Sequence, residues 1–261
     1  MSEKTMTGKV LFISGGTRGI GKAMVYAFAA KGCDVAFTYA SSADTANEII
    51  ENIQNKYGVK SKAYKLDILE PLTYKDVYKE FDEDFDRLDF FISNAIISGR
   101  SVVGGFAPFM RLKPKGLTNI YTATVSAFVV GAQEAAKRME KTGGGSIISM
   151  SSTGNLVYTP NYSGHGTNKA AIETMIKYAA TELGEKRIRV NAVSGGPIDT
   201  DALKAFPNYE EVKAEVVKRS PLSRMGNPTD LTGACLFLCD SEAASWMTGQ
   251  IIVVDGGTSF K

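Results

Sequence analysis

Cysteine, histidine and tryptophan are scarce: three, one and one in 261 residues. Cys33 stands alone and Cys235-x3-Cys239 lies in an apolar run, a spacing that predicts no zinc site, while an odd set of thiols predicts a reducing, cytoplasmic setting. An excess of one charge is also missing. Thirty basic and 28 acidic side chains leave a net charge of +2, too little for a broad field that would grip nucleic acid or an anionic membrane. One long uncharged stretch, residues 117–133, contains Thr118, Asn119, Thr122, Thr124 and Ser126, so it reads as a helix buried between protein surfaces and not as a membrane span. Residues 1–9 lack an apolar targeting core, and no export is expected. With 44% hydrophobic and 22% charged residues, a predominantly disordered chain is excluded.

Short β-rich runs recur at residues 9–14, 35–39, 61–66, 89–93, 146–150, 189–193 and 251–254, with helical patterns between most of them. In residues 44–57, Ala46, Ile49, Ile50, Ile53 and Tyr57 recur at the spacing of one helix face, and Thr45 with Glu48 suits a capping box. Apolar strands alternating with helices predict a parallel sheet covered on both faces, joined by right-handed crossovers. No linker, repeat or low-complexity tract divides the chain, which predicts one domain over residues 1–261. Two irregular segments, residues 96–116 with Gly99, Gly104, Gly105, Pro108 and Pro114, and residues 195–224, follow strands four and six. They leave the carboxyl edge of the sheet, where open α/β folds bind ligands, and so are candidates for a substrate-pocket wall.

After the first strand comes Ser14-Gly-Gly-Thr-Arg-Gly-Ile-Gly21, followed by a helical pattern. Glycines at 15, 19 and 21 let a phosphate approach the backbone, and a helix N-terminus supplies unpaired N–H groups. This strand–turn–helix context predicts a pyrophosphate site made by Gly15, Thr17, Arg18, Gly19, Ile20 and Gly21. A site for NAD usually carries an acid at the end of the second strand, whereas this chain reads Val35-Ala-Phe-Thr-Tyr-Ala-Ser-Ser42. Without a carboxylate to repel a 2′-phosphate, and with Arg18, Ser41 and Ser42 available to contact it, NADPH is the expected cofactor; the alternative is an Arg18 that sits in solvent and a site that accepts both dinucleotides.

The glycine turn, Asp67 after the third strand, Ser93-Asn94-Ala95 after the fourth, Ser151-Ser152 after the fifth, Lys169 on a helix and Asn191-Ala192-Val193 in the sixth resemble the short-chain dehydrogenase/reductase family over nearly the whole length. The resemblance implies a single-domain α/β Rossmann fold, a doubly wound parallel sheet of about seven strands. It further implies Asp67 near the adenine, Asn94 by the adenosine ribose, and Ile198 and Thr200 at the nicotinamide carboxamide. Most members carry Tyr-x3-Lys, but here the position four before Lys169 is His165, and Tyr162 precedes Lys169 by seven. That Tyr-x6-Lys spacing resembles the bacterial enoyl-acyl-carrier-protein reductases. Ser152, seventeen before Lys169, and the run from Asn191 to Leu203 followed by Phe206-Pro207-Asn208 resemble their third type. The Asn that many members place in the helix after strand four is replaced by Thr122 or Thr124.

Helix geometry admits both spacings: at about 100° per residue, four positions overshoot one turn by about 40° and seven fall about 20° short of two. The longer spacing places the phenol about 4.5 Å farther along the axis, which suits a thioester carbonyl displaced from the carbon that accepts hydride. What the resemblance implies is reduction of a trans-2-enoyl thioester carried on acyl carrier protein or coenzyme A, a reaction that this spacing suits. Tyr162 is the expected hydrogen-bond donor to the enolate oxygen, Lys169 the residue that binds the nicotinamide ribose and adds positive charge, and Ser152 part of the pocket lining. Reduction of a carbonyl, as in a 3-oxoacyl-carrier-protein reductase, and a non-catalytic NADPH-binding module are the rivals that the His165 replacement leaves open. His165, one turn from both Tyr162 and Lys169, is read as structural. Lys204, Lys213, Lys218, Arg219 and Arg224 form a candidate rim for an acidic carrier, or else a solvated face balanced by Glu210, Glu211 and Glu215. The apolar helices at 117–133 and 170–183 predict a symmetric homo-oligomer, a dimer of dimers on the family resemblance.

Overall fold

The computed structural model describes residues 4–97, 104–204 and 209–260, with the side chain of Ala202 excepted. Seven strands form one parallel sheet: β1 (Val10–Ile13), β2 (Asp34–Tyr39), β3 (Ser61–Lys65), β4 (Phe90–Ser93), β5 (Gly145–Ser152), β6 (Ile188–Gly195) and β7 (Ile251–Val254). Their spatial order is β3-β2-β1-β4-β5-β6-β7, so the winding reverses between β1 and β4. All seven strands expected from the sequence are present, with β5 and β6 running farther toward their carboxyl ends.

Both faces of the sheet are covered, which is why β1 is apolar throughout rather than alternating. Phe12 points into a core with Tyr64, Tyr78, Phe81 and Phe91, whereas Leu11 and Ile13 pack on the opposite face with Met24, Phe28 and Phe37. Helices α3 (Tyr74–Asp84), α4 (Pro114–Tyr121), α5 (Ala127–Lys141) and α6 (Ser163–Leu183) lie along the chain segments that build the first core. Helices α1 (Gly19–Ala30), α2 (Ala43–Tyr57) and α9 (Thr232–Cys239) build the second. Two further helices, α7 (Asp201–Lys204) and α8 (Tyr209–Arg219), follow β6.

Three local readings change. Helix α2 buries Ala46, Ile49 and Ile53 as the periodicity predicts, but it starts at Ala43 behind Ser42, which places Thr45 and Glu48 inside the helix; the capping box is not formed. The uncharged stretch is helical, yet α4 and α5 are joined by a π-helical turn over Thr122–Ser126, with Thr124 buried. Helix α6 begins well before residue 170, at Ser163, so the whole segment from His165 to Lys169 is helical. Among the described residues, no helix is long and apolar enough to cross a membrane.

Candidate functional site

The reversal between β1 and β4 opens a crevice at the carboxyl edge of the sheet, and the glycine turn lies in it. Gly15 has φ +75°, and a Cβ there would stand 3.1 Å from Ala95 after β4. A Cβ on Gly21 would run into the Gly15 carbonyl oxygen and come within 2.6 Å of Asn94. The turn is thereby pulled against the start of α1 with backbone exposed. Its shape is fixed by polar neighbours: the Asn94 amide donates to the carbonyls of Ser14 and Gly15 at 3.0 and 2.9 Å, and the Gly15 N–H donates to the Thr38 hydroxyl at 3.1 Å.

Arg18, at the N-cap of α1, is extended and exposed and offers no side-chain cap, and the first turn contains no acid. The amides of Gly19, Ile20 and Gly21 therefore stand without a side-chain acceptor at the positive end of a twelve-residue helix, donors that suit a pyrophosphate. The Thr200 methyl lies 3.7 Å from where a Gly19 Cβ would stand, which brings the segment after β6 to the same turn. Ile198 pairs with Gly226 in an isolated parallel bridge. Ser41 and Asp67 are exposed beyond β2 and β3; one oxygen of Asp67 accepts from the Leu69 N–H at 2.9 Å, a local turn that leaves the other oxygen to a ligand. Gly21→Ala is expected to lower stability by about 1–3 kcal/mol, because backbone must move to admit the methyl. Urea unfolding with an unchanged midpoint would refute the tight packing.

The second half of the site is built by β5 and α6. Lys169 is buried, and its ammonium donates to the Met150 carbonyl at 2.6 Å. Burial draws its ionisation down from 10.5 to about 8, with the Glu173 carboxylate acting in the opposite direction. Tyr162 forms the N-cap of α6, and its ring lies against Gly154, where a Cβ would approach within 2.5 Å. Burial raises the phenol above its ordinary value and the Ser152 hydroxyl beside it lowers it, so the group stays protonated near neutrality. Tyr162, Ser152 and Lys169 are thus gathered at the end of β5.

His165 stacks on Tyr162 with ring centroids 5.3 Å apart, and Phe106 meets both rings edge-on at 6.1 and 5.9 Å. Burial and the Lys169 charge lower His165 to about 4, so the imidazole is neutral at working pH. Phe106 gives no periodic signal in its glycine-rich loop, and only the fold reveals it. Two further contributors, Gly154 and Glu173, were also not singled out; Glu173 sits four residues after Lys169, a spacing that places it on the same helix face. Gly99 and Phe206–Asn208 lie outside the described residues.

The family model described as Enoyl-(Acyl carrier protein) reductase matches residues 4–259. A 1-cyclohexenylcarbonyl-CoA reductase of Streptomyces collinus is 34% identical, covering 96% of this chain and 87% of the relative. The 3-oxoacyl-[acyl-carrier-protein] reductase FabG of Aquifex aeolicus is 33% identical, covering 98% of this chain and 99% of its own. Among solved structures, a 7 alpha-hydroxysteroid dehydrogenase complexed with NADH and 7-oxo glycochenodeoxycholic acid superposes with TM-score 0.88 at 33% identity, covering 98% of this chain and 96% of that one. A Serratia marcescens short-chain dehydrogenase/reductase variant gives TM-score 0.88 at 30% identity, with 98% and 99% covered. Sequence, sheet order and glycine turn agree: the chain belongs to the short-chain dehydrogenase/reductase family, a family of oxidoreductases.

Proposed function

We propose that the protein is an NADPH-dependent enoyl-thioester reductase of the third bacterial type, acting on trans-2-enoyl groups carried by acyl carrier protein or coenzyme A in fatty acid synthesis. The observation that carries the reading is the placement of Tyr162: seven residues before Lys169, gathered with Ser152 and Lys169, while the position four before Lys169 holds a neutral imidazole. The relatives named above include reductases of a cyclohexenylcarbonyl-CoA and of a 3-oxoacyl-carrier-protein, so both the enoyl reading and its carbonyl-reducing rival have support.

The turn residues Gly15, Thr17, Arg18, Gly19, Ile20 and Gly21 would hold the pyrophosphate, Ser41 and Arg18 the 2′-phosphate, Asp67 and Asn94 the adenosine, and Ile198, Thr200 and Lys169 the nicotinamide riboside. When bound, the dinucleotide supplies hydride to Cβ of the thioester, and a proton taken up at Cα completes the reduction. Tyr162 Oη–H donates to the carbonyl oxygen, where negative charge gathers as the double bond is reduced, and this bond strengthens toward the transition state. Lys169 Nζ keeps a positive charge near that oxygen while it is protonated, and Ser152 Oγ orients the phenol.

Among the cations after β6, Lys204 lies 3.4 Å from Asp199, Arg224 forks onto Asp230 at 2.6 and 2.8 Å, and Arg219 donates to the Thr258 carbonyl. Much of the expected basic rim is therefore engaged locally. Arg111, Lys113 and Lys115 before and within α4 are exposed, with no ion pair recorded for them among the described residues and no acid between Asp89 and Glu134. An acidic carrier is better met there. The exposed side chains of Tyr121, Met175 and Tyr178 support a symmetric homo-oligomer, taken as a homotetramer, and the balanced charge and buried thiols support a cytoplasmic place.

The deciding experiment is NADPH oxidation with a crotonyl thioester beside an acetoacetyl thioester. Turnover of the crotonyl substrate is expected; turnover of the oxo substrate alone would establish the carbonyl rival, and neither would leave a binding module. Replacing Arg18 by Ala is expected to raise the Michaelis constant for NADPH about tenfold with NADH unaffected, since one charge-assisted contact is removed. Equal change for both dinucleotides would sink the 2′-phosphate assignment.

A further inference from the structure

We propose that Glu173 is a positioning residue: its carboxylate ties the turn that carries Ser152 to helix α6 and sustains the positive charge of Lys169. The inference rests on the reading of Tyr162 and Lys169 given above. Both Glu173 oxygens are engaged, one accepting from the Ser151 hydroxyl and the other from the Asn155 side-chain amide, each at 2.7 Å. These donors bracket Ser152, the last residue of β5, across the short 3-10 turn Thr153–Asn155. Within that turn the Gly154 N–H donates to the Ser152 hydroxyl at 3.2 Å, and the ring of Tyr162 rests on Gly154.

The same turn is pressed onto α6 from the other side, since a Cβ on Gly166 would approach the Gly154 carbonyl oxygen to 2.6 Å. One carboxylate thus restrains the segment that orients Ser152 and supports the phenol. Its negative charge cannot be drawn into a contact pair with Lys169, because Ser151 and Asn155 hold it one turn along the helix. Lys169 in turn is committed to the Met150 carbonyl. The charge acts across this fixed separation, favouring the ammonium that burial disfavours.

On α6 this helix face carries His165, Lys169, Glu173 and, one turn farther on and exposed, Lys177, with Tyr162 at its start; β5 and the following turn contribute the neutral Ser151, Ser152 and Asn155. His165 stays neutral and Tyr162 protonated near neutrality, which leaves Glu173 as the anion that supports Lys169.

The test compares wild type with Glu173→Gln, which removes the charge and keeps side-chain hydrogen bonding, and Glu173→Ala, which removes both. NADPH affinity is followed by fluorescence titration across pH without thioester, and kcat and KM for a crotonyl thioester are measured in parallel. For both variants the alkaline loss of affinity is expected to begin about one pH unit lower, which makes binding about fivefold weaker at pH 8. Glu173→Ala should in addition lose about tenfold in kcat at its own optimum, as Ser151 and Asn155 are released. If the Gln variant does not fold, the Ala variant reports the same shift. Alkaline limbs that superimpose on wild type, or a uniform loss of activity with unmoved limbs, would overturn the proposal. The dinucleotide titration needs no thioester, so a failure of the enoyl reading shows in the crotonyl assay and leaves this result intact.

Discussion

Tyr162→Phe is expected to reduce kcat for the crotonyl thioester by about 10²–10³, the loss typical of removing one preorganised donor to a developing oxyanion. Dinucleotide affinity should be unchanged. The substitution deletes only the hydroxyl, so the ring keeps its place on Gly154 and against His165 and Phe106. Because burial holds the phenol protonated, the wild-type group donates a hydrogen bond throughout the neutral range and its loss is not rescued by changing pH between 6 and 8. The contrasting variant is His165→Ala. An imidazole that titrates near 4 carries no acid proton to give at pH 7, so the loss expected there is confined to the packing it provides for the phenol. If Tyr162→Phe retained nearly all activity while His165→Ala lost it, the roles would be reversed and the spacing argument would fail with them.

The sheet was legible in the sequence because its strands are short apolar runs separated by helical periodicity, and burial on both faces makes such runs nearly continuous. The β1 sequence Val-Leu-Phe-Ile is intelligible only if Phe12 faces one core and its neighbours the other. The glycine turn and the Tyr162–Lys169 spacing were also local patterns. What escaped was carried by contacts distant in sequence. Asn94 reads as a ligand residue, yet its amide is spent on carbonyls about 80 residues earlier, which restricts what remains for a ribose to its carbonyl oxygen. Glu173 reaches back 18 and 22 residues to Asn155 and Ser151, and Phe106 meets α6 from a loop without pattern. The Thr45–Glu48 expectation failed for a different reason: capping depends on where the helix starts, and a shift of the N-cap by three residues, from Thr45 to Ser42, removes it.

Lys169→Met is expected to do two opposite things. Activity should be lost, and NADPH affinity should fall by tenfold or more, since the ammonium proposed to bind the ribose hydroxyls is gone. Without dinucleotide, however, the variant should be more stable than wild type at pH 7. Burial holds the ammonium near 8 in the folded protein against 10.5 when exposed, which corresponds to about 3 kcal/mol of disfavoured charge. The hydrogen bond to the Met150 carbonyl is lost on substitution, at a cost of about 1 kcal/mol, which leaves a net gain of about 2 kcal/mol. The sign follows from linkage. Between the two values the unfolded chain binds the proton and the folded protein does not, so wild-type stability rises with pH from about 8 toward 10.5, and below 8 the full penalty applies. The advantage of the variant should therefore be constant below pH 7 and disappear as pH is raised through that window. Urea unfolding at pH 7 and at pH 10, on dinucleotide-free protein, measures both limits. A variant less stable at pH 7, or an advantage that persists to pH 10, would mean that the ammonium is solvated in the resting site and that its charge is not held at the expense of the fold.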